Sequence, residues 1–94
     1  MKETNYVVID RITYEYLKNW SFDDPKIEDW NCVYYNDNED EYLGGDCFLF
    51  SNKKDAQKAK KMLEESFLCR GDEVNFDVVK VEKFVTAVRY RIVN

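Results

Sequence analysis

The chain contains no histidine among its 94 residues. That removes the commonest general base, the commonest metal ligand and the side chain that titrates near neutral pH. A Ser-His or Cys-His nucleophile pair cannot be assembled. Nothing singles out two of the 19 acids as a glycosidase-type pair. With three glycines and one proline, regular structure should dominate and loops be tightly drawn. A phosphate-cradling loop is excluded, because Gly44-Gly45 is followed by Asp46-Cys47 and not by Lys-Ser/Thr. No apolar run approaches the ~20 residues that cross a bilayer. The start, Met1-Lys2-Glu3-Thr4-Asn5, lacks a signal peptide's apolar centre. Cys32, Cys47 and Cys69 are odd in number, and no two of them have metal-motif spacing. Reduced, mostly buried thiols in a cytoplasmic, non-membrane protein are expected, with no metal, no cofactor and no enzymatic activity.

What is present is enough to fold. A hydrophobic fraction of 45%, with 16% aromatic, outweighs the 35% of charged residues and excludes a disordered chain. A chain this long has room for one core, so residues 1–94 form a single domain. The net charge of −5 is unevenly placed. Residues 21–50 hold nine acids against Lys26, a net of −8. Residues 1–20 balance three acids with three bases, and residues 51–94 carry ten bases against seven acids. The middle third is therefore an acidic field and the last part mildly basic.

The clearest element spans Ser51 to Gly71. Ala56, Ala59, Leu63 and Phe67 fall on one narrow helical stripe flanked by Met62 and Ser66. Ser51 or Asn52 can cap its start, and Gly71 can end it. Tyr6 to Ile9 reads as a first strand. Ile12 to Leu17 fits a second strand after a tight Asp10-Arg11 turn, or a helical stripe that reaches Trp20; the β-branched and aromatic residues favour strand. Asn19 to Asp29 reads as a connection with one helical turn at Asp24-Pro25. Trp30 to Tyr35 and Asp46 to Phe50 read as strands on either side of an acidic turn over residues 36–41, which Gly44-Gly45 ends. Val74 to Val81 places Val74, Phe76 and Val78 on one face and Val79 and Val81 on the other, as a strand covered on both sides would. Glu82-Lys83 reads as a turn, and Phe84 to Val93 as a last strand showing Arg89 and Arg91. The sum is an α+β fold: an antiparallel or mixed sheet of about five to six strands, covered on one face by a single helix over about 52–68.

Two surfaces stand out. The acidic stretch is interleaved with Trp30, Tyr34, Tyr35 and Tyr42, and Tyr35, Asp37, Glu39, Asp40, Glu41 and Tyr42 are its candidate partner-binding residues. Carboxylates there can compete for a basic protein site that normally holds phosphates, and the rings supply desolvated anchors. The plainer reading is a solvated acidic loop with its rings turned inward. A calcium loop starting at Asp37 is excluded, because Tyr42 and Phe48 stand where it needs glycine and glutamate. The second surface is the helix face with Lys53, Lys54, Lys58 and Lys61. It reads as a weak nucleic-acid ridge or a solvated face, and so few lysines on an acidic chain disfavour duplex binding. A third expectation is self-association, as a homodimer, through an uncovered sheet face or the Phe84–Val93 edge.

A Tyr6–Ile9 strand, Tyr16-Leu17, two tryptophans and Phe48-Leu-Phe-Ser-Asn-Lys-Lys-Asp-Ala56 leading into a helix resemble small acidic proteins of bacteriophages and mobile elements. The Lys-, Asn-, Asp-, Glu-, Tyr- and Phe-rich composition is also similar to that of proteins from G- and C-poor genomes. The resemblance implies a non-enzymatic inhibitor of a host nucleic-acid-handling or defence protein, as anti-CRISPR proteins are. It transfers no functional residue.

Overall fold

β1 (Asn5–Asp10) is an interior strand of the sheet, with a strand paired on either side. The computed structural model describes residues 4–24, 30–32, 35–37, 40–70, 73–83 and 89–93; among these, the side chains of 31, 32, 35–37, 40 and 68–70 are not described. In chain order the other elements are β2 (Glu15–Leu17), β3 (Trp30–Cys32), β4 (Tyr35–Asp37), β5 (Asp40–Gly44), α1 (Lys53–Arg70), β6 (Phe76–Lys83) and β7 (Arg89–Val93). They form one seven-stranded sheet in the order β3-β2-β1-β6-β7-β5-β4, antiparallel at every pairing.

The sheet curls back on itself. Beyond β5 the chain returns to the free end of β1, where the Tyr6 amide donates to the Phe50 carbonyl at 2.9 Å and the Phe50 amide to the Tyr6 carbonyl at 2.8 Å. The Phe48 amide reaches the Leu17 carbonyl at 2.8 Å. Each face therefore has its own core. Val7, Ile9, Tyr16, Leu43, Cys47, Val79 and Val81 are buried together inside the curl, with Leu49, Tyr90 and Ile92 packed against them. Val8, Leu17, Trp20, Phe50 and Phe76 face the helix. The alternation of β1 and β6 supplies both sets, because successive strand residues point to opposite faces.

The helix forms where its stripe predicts. Ala56, Ala59 and Leu63 are fully buried, and Met62 and Phe67 pack at the margin. Asn52 is the cap: its Oδ1 accepts the Asp55 amide at 2.8 Å, while its Nδ2 donates to Asp55 Oδ2 at 3.0 Å. Asp55 also puts a negative charge in the first turn, offsetting the adverse placement of Lys53 and Lys54 against the helix dipole.

The α+β class stands, with one helix and seven strands among the described residues where one main helix and about five to six strands were expected. The count rises because the expected Trp30–Tyr35 strand ends at Cys32 in β3, and because the expected turn over residues 36–41 is largely strand: Asn36 and Asp37 belong to β4, Asp40 and Glu41 to β5. Residues 11–14 make the turn and Glu15–Leu17 the second strand, resolving that ambiguity toward strand. The expected Asp46–Phe50 strand does not form: Asp46 lies in a turn, Cys47 in a bend, and only Phe50 makes a strand bridge, while Cys47 and Leu49 serve the inner core and Phe48 and Phe50 the helix side. Glu82 and Lys83 are not a turn. They continue β6, where Glu82 stands opposite Arg91. β7 is internal, between β6 and β5, so it is not the edge expected for self-association. Both sheet faces carry a buried cluster, so the uncovered face is not observed among the described residues. Residues 84–88, Pro25 and Gly71 lie outside the described residues.

Candidate functional site: an acidic hairpin at the end of the sheet

β4 and β5 pair as Tyr35 with Tyr42, Asn36 with Glu41 and Asp37 with Asp40, and β4 is the terminal strand of the sheet. The acid-rich segment is therefore a hairpin at an edge, where backbone groups on the outer side have no neighbouring strand among those described. The register sets Asp37 directly opposite Asp40. Like charges in that relation destabilise a sheet. Glu39 lies outside the described residues, as do the side chains of Tyr35, Asp37 and Asp40.

Glu41 and Tyr42 are described fully. Glu41 Oε2 accepts a hydrogen bond from Arg11 Nη1 at 2.8 Å, and both side chains are about three-quarters buried. The same guanidinium reaches Asp77 Oδ2 from Nε and Nη2, each at 3.3 Å. Arg11 thus straps the β1–β2 turn to the hairpin and to β6. Sequence reasoning placed Arg11 only in a tight turn, and nothing in its spacing pointed across the sheet. Tyr42 is half-buried and stands opposite Arg91 of β7, which contacts Glu82 Oε2 at 3.5 Å.

Beneath the hairpin, the Tyr16 hydroxyl donates to Asp46 Oδ1 at 2.7 Å. Burial, reinforced by that bond and by the Asp46 charge, pushes the phenol well above its ordinary range. Burial, with a smaller contribution from Asp46, pushes the Cys47 thiol up to about 12. Cys47 is therefore a protonated core thiol at neutral pH and a poor nucleophile.

The lysine face is where the stripe predicts, with Lys53, Lys54, Lys58 and Lys61 all exposed on α1. Lys58 Nζ sits 4.8 Å from the centre of the Phe22 ring, which meets Trp20 edge-on. That contact gives one lysine a packing role. Among the described residues no group of acids and cysteines could hold a metal ion. No described helix is long and apolar enough to cross a membrane.

The geometry defines a small α+β protein with an acid-rich hairpin at one end of a curled sheet. The chain matches no protein-family model, no curated protein and no solved structure.

Proposed function

We propose that this chain is a non-enzymatic protein-binding module that docks the β4–β5 hairpin on a basic protein surface, of the kind that otherwise holds nucleic acid. The observation that carries this reading is the register of the terminal hairpin, which sets Asp37 opposite Asp40 on a strand with an open outer side. A charge arrangement that costs stability in the free protein is compensated when a cationic partner covers it. Glu41 works from beneath: held by Arg11, it fixes the hairpin to the body. Asp37, Glu39 and Asp40, together with Tyr35 and Tyr42, are the residues assigned to the partner. Carboxylates presented this way occupy phosphate positions, which makes the module an inhibitor of a nucleic-acid-handling protein.

Tagged capture from a bacterial lysate at low and high salt tests it. The wild type should retain a basic protein at low salt and release it at high salt. Asp37→Asn with Asp40→Asn should weaken capture severalfold, whereas Glu64→Gln with Glu65→Gln, equal in charge but on the helix, should not. Equal loss in both variants would mean that net charge alone is read, and the hairpin assignment fails.

A further inference from the structure

A cavity of about 250 Å³ opens beside the β1–β2 turn, and no residue of β4 or β5 lines it. Its lining residues include three acids, Asp10, Glu15 and Glu73, and three aromatics, Trp30, Phe67 and Phe76. The registers build it: Asp10 stands opposite Glu15 on one side and Phe76 on the other, and Leu17 opposite Trp30 brings in the indole. Trp30 and Phe76 stack at 5.2 Å and 9°, and Phe67 meets them edge-on at 6.3 and 5.3 Å. We infer that this cavity is a binding site for an arginine side chain presented by a partner protein.

Three observations select that occupant. First, the site is built for positive charge at a cost to the free protein. Asp10 is only 4% exposed, and Glu15 is its direct cross-strand neighbour, so two like charges share one end of the sheet. Asp10 Oδ1 is engaged by the amides of Ile12 at 2.9 Å and Asn75 at 3.3 Å, and neither bond uses Oδ2. Second, size limits the ligand. The cavity lies below the roughly 300–1,000 Å³ of small-molecule pockets, and one side chain suits it. Third, the mixed lining favours a guanidinium over other cations. A planar guanidinium stacks on aromatic rings while its edge donates to carboxylates. A quaternary ammonium has no N–H for those oxygens, and a lysine ammonium is a compact, strongly hydrated charge that stacks less well. No described group could hold a metal ion instead.

The rim fits a protein partner. The adjoining turn exposes Ile12 at 45% and Tyr14 at 51%, two of the exposed large hydrophobic side chains among the described residues. Tyr14 is also held at φ 60°, a left-handed conformation costly for an aromatic residue. Apolar residues around a charged pocket are the makings of an anchored interface. The inference stands apart from the hairpin reading, since it uses none of the hairpin's acids.

The test is nitrogen-15 NMR of the indole N–H groups during titration with an acetyl-Gly-Arg-Gly-amide peptide. The chain has two tryptophans, and Trp20, which does not line the cavity, is the internal reference. The Trp30 resonance should move saturably while Trp20 stays still. The matching lysine peptide should bind more weakly, and the citrulline peptide, isosteric but uncharged, should not bind. Glu15→Gln with Glu73→Gln should weaken arginine binding by about tenfold, as expected for lost charge-assisted bonds. Asp37→Asn with Asp40→Asn should leave it unchanged. The inference is overturned by an unmoved Trp30, by citrulline or lysine binding as well as arginine, or by loss of binding in the hairpin variant. The peptide comparison on the wild type decides the matter even if the double glutamate variant does not fold.

Discussion

Gly44→Ala probes how tightly the curl is closed. Gly44 lies in β5, and an added Cβ would stand 2.6 Å from the Tyr16 hydroxyl oxygen and 2.9 Å from Asp46 Oδ1. Both contacts are shorter than carbon and oxygen tolerate, so something must move. The Tyr16 ring cannot yield cheaply, because it is 4% exposed among Val7, Ile9, Leu43 and Val79. Forced overpacking costs ~1–3 kcal/mol, and loss of a hydrogen bond to a carboxylate adds ~1.5–3 kcal/mol. Restricting the unfolded chain returns ~0.4–1 kcal/mol. The net destabilisation is ~2–4 kcal/mol, a fall in Tm of roughly 10–20 °C for a domain of this length. Urea unfolding followed by circular dichroism measures it. Tyr16→Phe removes the oxygen that the new methyl strikes, so the double variant should be more stable than the sum of the two single losses predicts. An unchanged midpoint for Gly44→Ala, or strict additivity with Tyr16→Phe, would refute the reasoning.

Further predictions concern the two cores and the strap between them. Leu63 is fully buried between helix and sheet, so Leu63→Ala should cost ~2–5 kcal/mol in urea unfolding, a large share of a small domain's stability. Stability should fall in alkali. The unfolded Cys47 thiol releases its proton near 9.0, whereas the folded one keeps it to about 12. Between those values the unfolded state binds fewer protons, so folding weakens by up to ~1.4 kcal/mol per pH unit. Tyr16 adds a loss of the same sign above its ordinary 10.0. Thermal melts across that window should show the decline, and Cys47→Ala should flatten its lower part. Arg11→Met leaves Glu41 and Asp77 without their shared cation and should cost ~1 kcal/mol, with faster amide exchange in β5 than in β1.

How far the sequence spoke depended on whether a signal was local. The helix was legible because its cap, stripe and lysine face all lie within 20 consecutive residues, and capping and packing act over that range. The two-faced Val74–Val81 segment was legible for the same reason. Glu82-Lys83 misled because paired charges imitate a turn; only the partner strand, with Arg91 opposite Glu82, explains their place in β6. Residues 46–50 misled in the opposite direction. Their alternation is real, but it reflects two cores on either side of the segment, not a ladder of bonds. The acid-rich hairpin was visible as composition, whereas Arg11 reaching Glu41 was not. The cavity acids, Asp10, Glu15 and Glu73, come from separated segments that only strand register brings together. No spacing rule would have joined them.

The central claim is that the hairpin's acids, by their position and not merely their number, recognise a basic surface. Fluorescence anisotropy with a labelled Lys-rich, arginine-free peptide tests it most directly, comparing wild type, Asp37→Asn with Asp40→Asn, and Glu64→Gln with Glu65→Gln. The account predicts binding that weakens as salt rises, a loss of about threefold to tenfold in the hairpin variant, and little change in the helix variant. A hairpin variant that binds as tightly as wild type, or a helix variant that loses as much, contradicts it.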